Sequence, residues 1–360
     1  MRFLVLLVPI VAVCYVTVRI YNILPVSLPL KIIAVVLSLG IIASMIISFV
    51  VSLDNLPFKL AIIVYEITTS WIFILLYLFM LFLLMDILRI CHIIPKELLF
   101  NSFQGTLIVI GIIFVIFLYG NIHYYNKDKI ELSIKTEKEL SKNYKIVMIS
   151  DLHLGYHNRK STLTKWVDMI NKENADFILI AGDIIDISTY PINLERSYEE
   201  FHRLNAPVYA CLGNHEYISN LDKAKEFYNR SGINLLIDSC AVINDEILII
   251  GRDDRGNKNR KSTSQLLENQ PNTRYSFLID HQPYNLELSQ KAGIDFQFSG
   301  HTHYGQVFPI NLITKALYEK AYGQYKKGNT DYYISSGLGI WGGKFRIGTK
   351  SEYVVLTLKK

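Results

Sequence analysis

The order of apolar and polar positions divides the 360-residue chain into two regimes. Before Asn126, long apolar runs alternate with short polar links. After it, apolar runs shrink to strand length and are separated by charged, helix-patterned stretches. A bilayer core needs about 20 mostly apolar residues per helix. Four runs are of that kind, at residues 3–18 (extending towards Leu24), 32–53, 67–88 and 105–120, with Pro25, Pro29, Pro57 and Pro95 in the links. The pattern therefore predicts a four-helix transmembrane region over 1–125 and a separate domain over 126–360. A cleaved leader is disfavoured for the first run, because Arg19 follows without a small-residue cleavage site.

In the second regime, apolar strands are predicted at 129–134, 144–150, 176–183, 207–216, 275–281, 296–301, 332–337 and 352–358. The stretch 234–251 reads as two strands meeting at an Asn-Asp turn. Helical patterns at 161–174, 194–204 and 222–231 intervene. Continuous apolar strands alternating with helices define an α/β layered domain whose strands are buried on both faces.

Charge adds two constraints. The formal net charge is only +5 and the lysines after 126 are interleaved with acids, so no nucleic-acid footprint is present. Four spans place the N-terminus and the second domain on one side of the membrane. Arg2, Lys59, Lys127 and Lys129 on that side balance Arg19, Lys31, Arg89 and Lys96 opposite, which leaves the orientation open. Glu66 and Asp86 fall at the ends of the third run, where a carboxylate reaches the interface, and suggest no transport path. Cys14, Cys91, Cys211 and Cys240 show no paired spacing and read as buried thiols.

The candidate chemistry sits where strands end. "SDLH" supplies Asp151 and His153, "GDIID" Asp183 and Asp186, "GNHE" Asn214 and His215, "DH" His281, and "GHTH" His301 and His303. Open α/β sheets bind ligands at the carboxyl ends of their strands, so these loops converge on one edge. Each string alone is weak, and a single histidine after a strand is ordinarily a core or loop residue. Five of the nine histidines fall inside these strings, however, each closing a strand. So large a mixed set of imidazole, carboxylate and amide exceeds the needs of one four-coordinate ion and suits two divalent ions of the Mn, Zn or Fe kind. Two ions sharing a carboxylate can clamp the attacking and leaving oxygens of a phosphoryl displacement and supply hydroxide near neutral pH.

Taken together, "SDLH…GDIID…GNHE…DH…GHTH" resembles the calcineurin-like metallophosphoesterase superfamily over about residues 129–360. The "GHTHYGQ" and "SSGLGIWGGKFRIGTKSEYVVLTL" stretches look like its membrane-anchored bacterial branch. The resemblance implies a two-sheet sandwich flanked by helices. It implies that Asp151, His153 and His303 hold one metal, that Asn214, His281 and His301 hold the other, and that Asp183 bridges them. His215 then protonates the leaving oxygen, oriented by Asp186. Tyr304 departs from the glycine common at that position. Asp280 is a candidate for orienting His281, or for pointing into the sheet. His157 reads as a solvent-exposed loop residue, and Arg252, Asp253 and Arg346 as phosphate contacts or surface ion pairs.

The activity implied is hydrolysis of a phosphate ester beside the lipid bilayer, of a phosphodiester or pyrophosphate, with lipid-linked esters included. A broad phosphomonoesterase and a non-catalytic metal-binding sensory module are the competing readings. Residues 310–327, mixing apolar, Tyr and Lys positions, fit either an interfacial lid or a plain packing helix.

Overall fold

The computed structural model describes residues 2–360; the side chains of residues 2–9, 45, 46 and 48–50, Arg2 among them, lie outside the described set. The chain forms two compact units. One comprises Met1–Ile122 with Gly342–Phe345, the other His123–Trp341 with Arg346–Lys360.

The first unit holds four helices: α1 (Arg2–Ile23), α2 (Leu28–Val50), α3 (Phe58–Ile90) and α4 (Phe103–Tyr125). Over their described residues, α3 and α4 are long and apolar enough to cross a membrane. Residues 10–23 of α1 and 28–44 of α2 form shorter apolar helices. At 33 residues, α3 begins a full nine positions earlier than its apolar run, so Glu66 lies inside the helix rather than at its end. Both intrahelical carboxylates have cationic partners. Glu66 pairs with Lys344 at 2.8 Å, and Asp86 pairs with Arg19 while accepting the Tyr15 hydroxyl. Phe345 sits edge-on to Phe73 and Phe117, so residues 342–345 pack as part of this unit.

The second unit contains two mixed six-stranded sheets flanked by helices. In chain order the strands are β1 (Lys127–Lys135), β2 (Tyr144–Ile149), β3 (Phe177–Ala181), β4 (Val208–Cys211), β5 (Asn234–Leu235), β6 (Ser239–Ile243), β7 (Ile247–Gly251), β8 (Tyr275–Ile279), β9 (Phe296–Ser299), β10 (Gly323–Lys327), β11 (Thr330–Ile334) and β12 (Ser351–Lys359). One sheet has the order β1-β12-β2-β3-β4-β5, the other β10-β11-β9-β8-β7-β6. Strands β2 to β5 run parallel, as do β7, β8, β9 and β11, so each sheet presents several carboxyl ends at one edge.

Alternate residues of each central strand point to opposite faces. Met148, Leu179, Ile249, Phe277 and Phe298 meet between the sheets, while Val147, Ile149, Ile178 and Ile180 pack under Leu163, Trp166, Val167 and Ile170 of the helix Lys160–Asn171. Both faces are dry, which is why these strands are apolar throughout rather than alternating.

Three expectations change. The helix at 194–204 is instead two short turns, Tyr190–Leu194 and Tyr198–Phe201, because Arg196 between them takes a left-handed φ of 54°. The stretch 234–251 yields three strands, not two. Its first piece, β5, joins the opposite sheet, and the Asn244-Asp245 turn joins the other two with both residues at positive φ, as an Asn-Asp hairpin turn favours. Residues 310–327 are not one helix. A helix over Ile310–Leu317 is followed by β10, which pairs antiparallel with β11 as an edge strand.

Candidate metal centre

Six loops, from both sheets, meet at the strand ends. Asp151 and His153 follow β2, Asp183 and Asp186 follow β3, Asn214 and His215 follow β4, His281 follows β8, His301 and His303 follow β9, and Gly337–Gly339 follow β11. The backbone is bent to deliver them. Asp151, His153, Asp183, His301 and His303 all have φ between 45° and 70°. Each such non-glycine residue costs about 1–3 kcal/mol, and strain of this kind concentrates where function holds it in place. Two glycines make room for the carboxylates. A Cβ on Gly213 would stand 2.2 Å from Asp183 Oδ1, and one on Gly300 would stand 2.3 Å from Asp151 Oδ2. Amides then fix the oxygens, since His215 N donates to Asp183 at 2.9 Å and His301 N donates to Asp151 at 3.0 Å.

The side chains fall into three overlapping groups able to hold an ion: Asp151 with His153 and His303, Asp183 with His281 and His301, and Asp186 with His153 and His215. His153 Nε2 lies 3.1 Å from His303 Nε2 and 3.7 Å from Asp183 Oδ2. His281 Nε2 lies 3.0 Å from that same Asp183 oxygen and 3.2 Å from Asn214 Oδ1. Asp183 Oδ2 therefore stands between the two sets. Ligand bonds of about 2.0–2.2 Å place neighbouring ligand atoms of one ion about 2.9–3.4 Å apart; three of these separations match, and His153 Nε2 to Asp183 Oδ2 at 3.7 Å is wider. His303 Nδ1 is buried without a hydrogen-bond partner. Two imidazole nitrogens facing each other beside carboxylates are the donor set a cation reconciles. The residues fit divalent metals.

Electrostatics divide the histidines by task. Burial, reinforced by the His281 charge, pushes His301 down to about 3, and burial with His153 holds His303 well below its usual value; both are neutral and ready to ligate. At His281, burial favours the neutral ring, but Asp183 outweighs it and raises the basicity well above normal. A metal would displace that proton. At His215, burial again opposes charge, yet Asp183 and Asp186 raise it to about 9. Its Nδ1 faces Asp186 Oδ1 at 3.4 Å. Burial opposes ionisation of Asp186 as well, and His153 and His215 overcome it, holding that carboxyl well below its ordinary range.

All nine candidate site residues come together. Several secondary expectations do not survive. His157 is not a solvent-exposed loop residue: it is buried, with Nδ1 3.7 Å from Asp186 Oδ2 and Nε2 2.9 Å from the Ile340 carbonyl. Asp280 does not orient His281. It accepts from Arg252 and Arg260, both at 3.1 Å, while the Ala181 carbonyl lies 2.7 Å from His281 Nδ1. Arg252 is thereby committed to an ion pair, and Asp253 is buried under the Tyr217 hydroxyl. Tyr304 takes a left-handed φ of 48°, the conformation glycine adopts most readily, and its ring stacks on Tyr322.

One supporting residue escaped the sequence reading and a second was given the wrong role. Glu216, the last letter of "GNHE", is fully buried and accepts from the amides of Gly213, Asp183 and Ile185, tying the β3 and β4 loops together. Its place in the string was the available signal. Arg346 is neither a phosphate contact nor a surface ion pair. It is wholly buried, and burial lowers its guanidinium only to about 10, so it stays a cation. Nη1 donates to the His303 carbonyl at 2.7 Å, Nη2 to those of Ser336 at 2.5 Å and Gly339 at 3.2 Å, and Nε to Ser351 Oγ at 3.1 Å. Gly339 N in turn donates to the Asp151 carbonyl at 3.0 Å.

A family model described as calcineurin-like phosphoesterase matches residues 144–305. An uncharacterized metallophosphoesterase of Campylobacter jejuni is 30% identical over 266 residues, covering 71% of this chain and 70% of that protein. The chain belongs to the calcineurin-like phosphoesterases, and is a metal-dependent phosphoesterase. A Danio rerio relative, named a transmembrane protein with metallophosphoesterase domain, is 28% identical, covering 72% of this chain and 64% of that protein. Two Helicobacter pylori metallophosphoesterases are 29% identical, and the chain spans 61% of each. Among solved structures, the NAD nucleotidase of Haemophilus influenzae superposes with a TM-score of 0.37 and 17% identity, covering 54% of this chain and 46% of that one.

Replacing Arg346 by Met strips donors from buried carbonyls and should destabilise the fold by roughly 3 kcal/mol. Because one of those carbonyls belongs to His303, bound metal should fall as well as the melting temperature. Full metal content at a lowered melting temperature would sever Arg346 from the centre.

Proposed function

We propose that the chain is a membrane-anchored, two-metal phosphohydrolase acting on phosphodiesters or pyrophosphates, lipid-linked esters among them. The observation that carries this reading is the position of Asp183 Oδ2, 3.7 Å from His153 Nε2 and 3.0 Å from His281 Nε2. One carboxylate oxygen thus serves both ligand sets. In this reading Asp151, His153 and His303 hold one ion, Asn214, His281 and His301 the other, and Asp183 spans the two. The pair of ions would supply an activated water nucleophile and neutralise charge on the phosphoryl oxygens.

The chain's own groups do the rest. Asp186 Oδ1 faces His215 Nδ1 at 3.4 Å, an ion-pair contact that orients the ring and leaves Nε2 for the departing oxygen. Asp186 beside Nδ1 favours the protonated ring, the form a general acid needs. The amides of His215 and His301 donate to Asp183 and Asp151 and hold both carboxylates in place.

Membrane anchoring rests on the first unit. All four helices are read as spans, which would make the protein multi-pass. Support comes from their outward faces: Val36 and Leu37 of α2 and Ile110, Phe114 and Val115 of α4 are about 60% exposed, apolar surface that lipid accommodates and water does not. Only Asn126 separates α4 from β1, and a covalent tether to membrane helices suits a substrate held at the bilayer.

The deciding assay uses purified protein loaded with Mn²⁺ or Zn²⁺ against p-nitrophenyl phosphate, bis-p-nitrophenyl phosphate and lipid phosphates. Faster turnover of the diester is expected, whereas turnover confined to monoesters would move the assignment to a phosphomonoesterase. Asp183→Asn should deplete both ions together, measured by elemental analysis; loss of one alone removes the bridging role. His215→Ala should retain both ions and slow turnover by about 10²–10⁴-fold. Loss of metal in that variant would overturn its role as the acid.

A further inference from the structure

We propose that Arg255, Tyr284 and Tyr318 form a subsite beside the metal centre for a second anionic group, a phosphoryl or carboxylate carried on the leaving arm of the substrate. The inference rests on the phosphohydrolase reading and adds to it what the substrate must carry. The loop after β7 holds three arginines. Arg252 and Arg260 are both committed to Asp280, at 3.1 Å each. Arg255 is not: among the described residues its guanidinium has no carboxylate partner and lies over the Tyr284 ring, 4.0 Å from the centroid. A stacked guanidinium keeps its edge N–H groups free for an oxyanion.

The loop is held rigid, so Arg255 is presented rather than floating. Asp253 and Asp254 are buried and act as its internal staples. Asp253 accepts from Asn257 and from the Tyr217 hydroxyl, both at 2.8 Å, and Arg260 donates to its carbonyl at 2.8 Å. Asp254 accepts from Gly256 N and from Gln282 Nε2, both at 2.7 Å. Gln282 follows the metal-site residue His281, and Tyr217 lies two positions beyond His215, so the loop is pinned at both ends to segments that carry the centre.

From Arg255 a continuous aromatic path leads inward. The Tyr284 and Tyr318 rings are 4.9 Å apart with their hydroxyls 3.0 Å from each other, and Tyr318 meets the edge of His301 at 6.4 Å. Two half-buried tyrosines and a prepositioned cation form a wall for the portion of a substrate that extends past the scissile phosphorus. A monoester with a small leaving group would not reach Arg255. An ester with a second anion several bonds away would.

The test uses a series of α,ω-alkanediol bisphosphates with tethers of two to eight carbons, with p-nitrophenyl phosphate as the single-anion reference. Wild-type protein should show a minimum in KM at one tether length. Arg255→Ala should raise KM at that length about tenfold more than it raises KM for p-nitrophenyl phosphate, with kcat changing far less, as loss of a charge-assisted contact to a bound oxyanion requires. Lys258→Ala, an exposed neighbour in the same loop, should preserve the minimum. A flat length profile, or equal KM changes for both substrate types, overturns the subsite. Vesicles carrying phosphatidylglycerol phosphate distinguish a lipid source of the second anion from a soluble one. Should no ester be turned over, the phosphohydrolase reading fails by itself. Calorimetric binding of the bisphosphates to metal-loaded wild type and Arg255→Ala still decides the subsite, since equal affinities would refute it.

Discussion

The structure depends on one electrostatic constraint: buried carboxylates and imidazoles held within touching distance at the end of a dry sandwich. Asp151, His153, Asp186 and His281 are fully buried, and Asp183 nearly so. Burying a charge without compensation is costly enough that the group ordinarily neutralises instead. Here the groups compensate one another in part, with Asp183 charging His281 and Asp186 charging His215, while His301 and His303 are driven neutral. The mixture of charged and neutral rings around shared carboxylates is the state expected of a site whose ligand field is completed by cations.

That constraint dictates the architecture around it. A single sheet has one edge at which to place polar loops, whereas two sheets packed face to face bring two such edges together. Asp151, Asp183 and Asn214 come from one sheet, and His281, His301 and His303 from the other. The apolar layer of Met148, Leu179, Ile249, Phe277 and Phe298 between the sheets sets the separation of the two halves of the centre. Core packing and ligand spacing are thus the same quantity, and the close approaches at Gly213 and Gly300 show how little room remains.

The strand ends were legible in the sequence because each is an apolar run closed by a polar string, and both properties are local. The meeting of His153 with His303, 150 positions apart, was reachable only because the strings themselves formed a known set. What remained hidden was of another kind. His157 and Arg346 look like surface residues by type, since nothing near them in the chain announces burial. Arg346 is buried because its partners are carbonyls, and carbonyls leave no mark in a sequence. The broken helix at Arg196 was equally silent: its residues are good helix formers, and tertiary context overrode them. Residues 310–327 misled because alternation of apolar and polar positions in β10 is short and overlaps the helical period of the residues before it.

The segment 341–346 joins these two levels. Phe345 is packed among the helices, edge-on to Phe73 and Phe117, and Lys344 is paired with Glu66. The next residue, Arg346, is buried in the phosphoesterase unit with its guanidinium on the carbonyls of His303, Ser336 and Gly339. One peptide bond therefore separates an anchor in the helical unit from the residue that holds the backbone of a candidate metal ligand. Glu66, which the sequence presents as a stray carboxylate in an apolar helix, acquires a structural reason on this view. It retains Lys344 and so fixes the 342–345 segment within the helical unit.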